Sequence, residues 1–200
     1  MERLASYTSL PVHHLPEACL PSRHRTYSRQ TVEERARYQC DIAVAGNNYP
    51  YRVRILESLD VESLKLYGNA PSRWAPRAIR SAFTGEYVTD RAKFLAFTEA
   101  KVLLNTLHYS EISSANARLF EATGCGAFVI THLNQGVRDL YELGTEVVGV
   151  DSTRELREAL GHYLNAHDER YEIAQAGQRR AHRDHTYQQR LSVLMDLTGG

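Results

Sequence analysis

SSANARLFEATGCGAFVITH, residues 113–132, reads as one helix followed by one buried strand. Ser113 or Ser114 is the expected N-cap, and Gly124 the expected end of the helix. AFVITH (127–132) is then a short apolar run of the kind buried on both faces of a parallel sheet. Working upstream, KVLLNTL (101–107) reads as a strand preceded by the helix RAKFLAFTEA (91–100). CDIAVAGN (40–47) and SLKLYGN (63–69) are two further strands, each closed by glycine. Between them YRVRILESLD (51–60) sets Val53, Leu56 and Leu59 on one helical face. Downstream come a short helix GVRDLYELG (136–144), a strand TEVVGV (145–150) and a helix STRELREALGHYLN (152–165). That last helix opens with the capping-box pattern Ser152–Glu155, and a terminal helical pair follows over 168–197. Strand and helix alternate at least four times. The expected fold is α/β: a Rossmann-like, open, mostly parallel sheet with helices on both faces. Residues 1–40 are expected to be an irregular lead-in, broken by Pro11, Pro16 and Pro21, with one helical stretch capped by Thr31 and Glu34. Residues 41–200 are expected to form a single domain.

Composition narrows the function. The chain has 200 residues, 24 Lys plus Arg against 24 Asp plus Glu, and 42% hydrophobic residues. That is the make-up of a globular domain with room for a core. A net charge of zero argues against a general nucleic-acid binder. No apolar run approaches the roughly 18 residues needed to span a bilayer, and the first residues lack the apolar core of a signal peptide. Cys19, Cys40 and Cys125 are widely spaced and odd in number, which fits free thiols and a cytoplasmic location. The nine histidines form no HExxH pattern, so no metal is expected. There is no GxSxG elbow for a serine hydrolase, and Cys125 reads as a core thiol.

In an open parallel sheet, ligands sit beyond the carboxyl ends of the strands. Three features lie there. AGNNYPYR (45–52) ends a strand at Gly46 and leads into a helix, with Arg52 and Arg54 at hand for an anion; a plain turn glycine is the alternative. SRWAPRAIR (72–80) flanks the single tryptophan with arginines and reads first as solvated surface. In 113–132, Asn116 stands near a helix start, and Arg118 and Glu121 are three residues apart. A carboxylate there suits paired hydroxyls and an arginine suits a diphosphate; a surface ion pair between the two is the alternative.

NARLFEATGCGAFVITH (116–132) and AGQRRAHRDHTYQQR (176–190) resemble the glycosyltransferase-like domain of the CgeB spore-maturation family. The resemblance extends over nearly the whole chain. That family is similar to the C-terminal, donor-binding half of GT-B glycosyltransferases. The resemblance implies a site for a nucleoside-diphosphate sugar with no metal. It places Glu121 at the donor ribose, Asn116 and Arg118 near the diphosphate, and Gly46 and Asn47 in the turn after the first strand. Gly85, Glu86 and Tyr87 fall in the loop near the nucleobase. The broader retaining pattern has a second glutamate eight residues before the ribose one, where this chain has Ser113; Glu111 is the nearest acid. The resemblance further implies hexosyl transfer to an acceptor held by a separate domain, since only about the first fifteen residues correspond to an acceptor half. A non-catalytic interaction module, or a homodimer covering the face of the missing half, is the alternative.

Overall fold

The computed structural model describes residues 6–27, 31–59 and 63–199. The parts of the lead-in at 1–5 and 28–30 lie outside the described residues. The elements run α1 (Val32–Tyr38), β1 (Cys40–Ala45), α2 (Pro50–Glu57), β2 (Leu64–Tyr67), α3 (Arg77–Ser81), α4 (Asp90–Thr98) and β3 (Ala100–Asn105). They continue α5 (Ala117–Cys125), β4 (Val129–His132), α6 (Gln135–Leu140), β5 (Val148–Val150), α7 (Thr153–Tyr163), α8 (His167–Asp184) and α9 (Tyr187–Thr198). The five strands form one sheet in the order β2-β1-β3-β4-β5, all parallel. This is the Rossmann-like α/β architecture expected from the alternation of elements.

The register shows why the strands read as continuous apolar runs. Ile42 pairs with Leu64 on one side and Val102 on the other, and Leu103 pairs with Val129. Successive side chains point to opposite faces. Ile42, Val44, Val102 and Leu104 pack with Val53, Leu56, Leu156 and Leu160 of α2 and α7. Ala43, Ala45 and Leu103 pack with Phe97, Leu119 and Phe120 of α4 and α5. Both faces are therefore covered, as a purely parallel sheet requires.

Three local expectations change. Asn116, not Ser113 or Ser114, caps α5, its side chain accepting from the Leu119 N–H at 3.1 Å. The serine backbone is engaged elsewhere: Asn134 Nδ2 donates to the carbonyls of Glu111 and Ser114 at 2.7 and 2.9 Å. The left-handed residue that ends α5 is Gly126, at φ +81°, not Gly124. Gly124 lies inside the helix because the lead-in packs there; a Cβ on it would sit 3.0 Å from His24 Cβ and 3.1 Å from Cys19 Cβ. Ser152 caps α7, but Glu155 returns its carboxylate to the Asp151 N–H, so the box is not reciprocal.

The lead-in is tied to the terminal helices. Cys19 N donates to His185 O at 2.8 Å, and Tyr187 N donates to Cys19 O at 3.0 Å. Cys19, Cys40 and Cys125 are free and buried, and burial raises each thiol above its ordinary range. Among the described residues no helix is long and apolar enough to cross a membrane.

His24, His132 and His185 titrate below the ordinary histidine value, chiefly because burial disfavours the imidazolium. His185 illustrates the setting: its ring lies between Phe120 and Tyr141, at 5.5 and 5.1 Å. A depressed histidine stabilises the fold above the unfolded pKa, about 6.5, and that stability is lost as pH falls toward the folded value. Urea unfolding midpoints are therefore expected to be flat above pH ~6.5 and to fall below it, ahead of carboxylate titration. Equal midpoints at neutral and mildly acidic pH would contradict this.

Candidate functional site

The strand order reverses direction between β1 and β3, so the loops that follow these strands diverge and open a crevice. β1 ends at Gly46 with φ +105°, and β2 ends at Gly68 with φ +114°; only glycine adopts such angles without strain. The two turns touch. Gly46 N donates to Tyr67 O at 2.9 Å, and a Cβ on Gly68 would lie 2.7 Å from Gly46 O.

Two arginines converge on this turn. Arg52, in the first turn of α2, is 5% exposed and runs back beneath the loop. Its Nε donates to Thr106 Oγ1 at 2.6 Å, and its Nη1 donates to the carbonyl of Asn47. Arg118, in the first turn of α5, donates from Nη1 to Asn105 Oδ1 at 3.1 Å. A Cβ on Gly46 would lie 2.5 Å from Arg118 Nη2 and 3.5 Å from Arg52 Nη1, so both guanidinium groups meet at one point. Burial lowers both arginines below the ordinary guanidinium range, and the neighbouring Arg118 adds to the effect on Arg52, which falls to about 9. A guanidinium stays protonated at neutral pH in such a setting. Among the described residues neither forms an ion pair. Two like charges are thus held together and partly out of water, with Glu111 and Glu121 near enough to act on them but forming no ion pair with either.

The crevice has two lobes that share Asn116 and Arg118. One, about 380 Å³, is lined by Gly46, Tyr67, Tyr87, Val88, Lys93 and Glu121 among others. Within it Lys93 Nζ donates to Glu121 Oε1 at 2.7 Å. The Tyr67 hydroxyl is buried and has no hydrogen-bond partner among the described residues. The other lobe, about 290 Å³, is lined by Asn47, Tyr49, Arg52, Thr106, His108, Ser110 and Glu111. There Glu111 Oε2 accepts the His108 N–H at 2.6 Å, which fixes the loop after β3. Among the described residues no three His, Cys, Asp or Glu side chains are placed to hold a metal.

The model of the family described as glycosyl transferase-like matches residues 23–196. The chain belongs to this family. No curated protein matches it. Solved structures share the fold. Sucrose-phosphate synthase from Thermosynechococcus elongatus superposes with a TM-score of 0.66 at 13% identity, covering 92% of this chain and 51% of that one. HepE from Anabaena, in complex with UDP-glucose, gives 0.64 at 12% identity, covering 90% and 56%. The C-terminal domain of a group 1 family glycosyl transferase (LpcC) from Francisella tularensis gives 0.61 at 12% identity, covering 84% and 98%. The chain thus spans about half the length of the first two and nearly all of the isolated C-terminal domain.

In this glycosyl transferase-like domain eight of the residues singled out from sequence border the crevice, while Arg54, Gly85 and Glu86 line neither lobe. Gly46, Tyr87 and Glu121 line the larger lobe, Asn47, Arg52 and Glu111 the smaller, and Asn116 and Arg118 both. Some roles differ in detail. Glu121 pairs with Lys93, so the i,i+3 ion pair with Arg118 is not what holds it. Glu86 binds Arg37 at 3.0 Å, and the Asn116 amide oxygen is occupied by the cap. Trp74 is 55% exposed and Arg73 and Arg77 are exposed beside it, as a solvated surface. Sequence reasoning missed Lys93, Asn105 and Thr106. Asn105 and Thr106 carried a signal: they are polar, yet they close an otherwise apolar strand. Lys93 carried only its rarity as one of three lysines.

Proposed function

We propose that the crevice binds a nucleoside-diphosphate sugar and that the domain is the donor half of a GT-B glycosyltransferase of CgeB-like type. The observation that carries this is the pair of unpaired guanidinium groups of Arg52 and Arg118 facing one cavity between two lobes. A diphosphate supplies the missing charge, and planar guanidinium groups bind its oxygens in pairs. The larger lobe then takes the nucleoside, with Tyr87 beside the base and the Glu121 carboxylate, oriented by Lys93, accepting from the ribose hydroxyls. The smaller lobe takes the glycosyl group, with Glu111 in the place that Ser113 leaves open. HepE, which shares the fold, holds UDP-glucose.

In transfer, the bond from the sugar C1 to the phosphate oxygen breaks and the diphosphate leaves with the electron pair. The acceptor oxygen bonds to C1, and its proton ends on the released diphosphate. Arg52, Arg118 and the N-terminal end of α5 stabilise the leaving charge in place, so no metal is required. The acceptor is held by a separate domain or a second copy, and the reaction is cytoplasmic.

Isothermal titration against UDP-glucose, UDP-N-acetylglucosamine, GDP-mannose and dTDP-glucose tests the donor site. At least one is expected to bind and to raise the unfolding temperature by mass action, and Glu121→Ala is expected to weaken it. Silence from all four, in titration and in thermal unfolding, would sink the proposal.

A further inference from the structure

The stretch 66–85 contains no Asp or Glu, yet it holds Arg73, Arg77 and Arg80. In a chain of zero net charge this is a local basic excess. The fold gathers it on one fixed projection. Ala75 N donates to Ser72 O at 2.9 Å, closing a tight turn whose two central residues are Arg73 and Trp74. The turn is anchored from the core side, where Ala75 and Ile79 are buried. Arg80 Nε donates to Ala75 O at 3.1 Å, which sets Arg80 beside the turn. Trp74, the only tryptophan in the chain, is 55% exposed, and Arg73, Arg77 and Arg80 are exposed with it. Among the described residues none of the three arginines forms an ion pair. Glu57 of α2 lines a cavity with Pro76, Ala78 and Ile79, but it pairs with none of them either.

An indole ring with arginines around it suits the boundary between water and lipid. The ring has an apolar body and a polar N–H, so it settles at headgroup level. Guanidinium groups bind phosphate oxygens in pairs, and each adds attraction to an anionic surface. A turn already held rigid loses little freedom on docking. Single-stranded nucleic acid is the poorer fit, because it stacks successive bases on several rings along a basic groove. Here one ring stands on a turn.

We propose that the Ser72–Ala75 turn, with Arg77 and Arg80, docks the domain on the anionic surface of a lipid bilayer. Trp74 enters the headgroup layer and the arginines meet lipid phosphates. This is attachment to a surface, not a span. It does not rest on the donor reading above.

Because Trp74 is the only tryptophan, its emission reports on this turn alone. The full chain is titrated with vesicles of phosphatidylcholine, and with vesicles of equal parts phosphatidylcholine and phosphatidylglycerol, with co-sedimentation on the same samples. The mixed vesicles are expected to shift the emission to the blue, to shield it from acrylamide and to sediment the protein, less so as salt is raised. Phosphatidylcholine alone is expected to do none of these. Arg73→Ala combined with Arg77→Ala is expected to weaken sedimentation about 25-fold, and Trp74→Ala about tenfold. Both variants are expected to keep the wild-type unfolding temperature, since the side chains removed are exposed. No emission shift and no sedimentation with mixed vesicles, or wild-type binding by both variants, would overturn the proposal. Equal binding to both kinds of vesicle would overturn it too. So would an emission shift on oligo-dT and none on anionic vesicles, which would make the turn a nucleic-acid contact.

Discussion

Replacing Arg118 with alanine is expected to lower affinity for the bound nucleotide sugar roughly 100-fold, while the ligand-free fold keeps its stability. The two halves of this result have separate causes. Arg118, half-buried, supplies one of the two charges at the proposed anion position, and removing one partner of a desolvated charge pair typically loses about 2–5 kcal/mol of binding. In the ligand-free protein the opposing terms are small. The change frees Asn105 Oδ1 from its 3.1 Å bond, which destabilises. It also removes the like charge that lowers Arg52, which stabilises. The unfolding temperature is expected to move by less than about 3 °C. Arg118→Lys keeps the charge without the planar fork and is expected to bind with intermediate affinity. Titration calorimetry and thermal unfolding on the same samples separate the effects. Unchanged affinity in Arg118→Ala would remove the anion site; a large fall in stability would make the arginine a structural residue.

The second large effect is expected from Gly68→Ala, a change that adds one methyl group to the wall of the larger lobe. Its Cβ would lie 2.7 Å from Gly46 O and 3.0 Å from Gly46 N, against backbone that cannot rotate away, at φ +114°. Strain and clash together are expected to destabilise the fold by about 3 kcal/mol, or roughly 6–12 °C in unfolding temperature for a domain of this size. Relief of the clash displaces the Gly46 turn, so nucleotide-sugar affinity falls as well. Gly85→Ala provides the contrast. Its φ is +78°, but no atom lies within 4 Å of the added Cβ, so only the conformational strain remains. Equal unfolding midpoints for the two variants would show that the contact between the β1 and β2 turns does not constrain the fold.

Much of this molecule was legible in sequence because the signals are local. Helix and strand periods in NARLFEATGCGAFVITH and its neighbours place the elements, and glycines at strand ends mark the crevice side. The errors were local competitions. Three polar residues, Ser113, Ser114 and Asn116, stand within one turn of the helix start, and periodicity cannot choose among them. Asn116 wins because Asn134, twenty residues from Ser114, takes the serine carbonyl. Gly124 carries the signature of a helix end, yet it is there to admit Cys19 and His24 from the lead-in. Lys93 was silent because its partner Glu121 is 28 residues away.

By itself the sequence determined the class of fold, the order of its elements and the residue types that line the crevice, since these follow from side-chain periodicity and turn chemistry. It could not determine that the guanidinium groups of Arg52 and Arg118 meet at the Gly46 turn. That depends on β1 and β3 pairing side by side while β2 lies beyond β1, which sets the turn at Gly46 against the start of α5. Packing then sets two ordinary arginines, one buried and one half-buried, without an ion pair at the wall of a cavity. Charge is a property of the residue, but its desolvation and its neighbours belong to the assembled sheet.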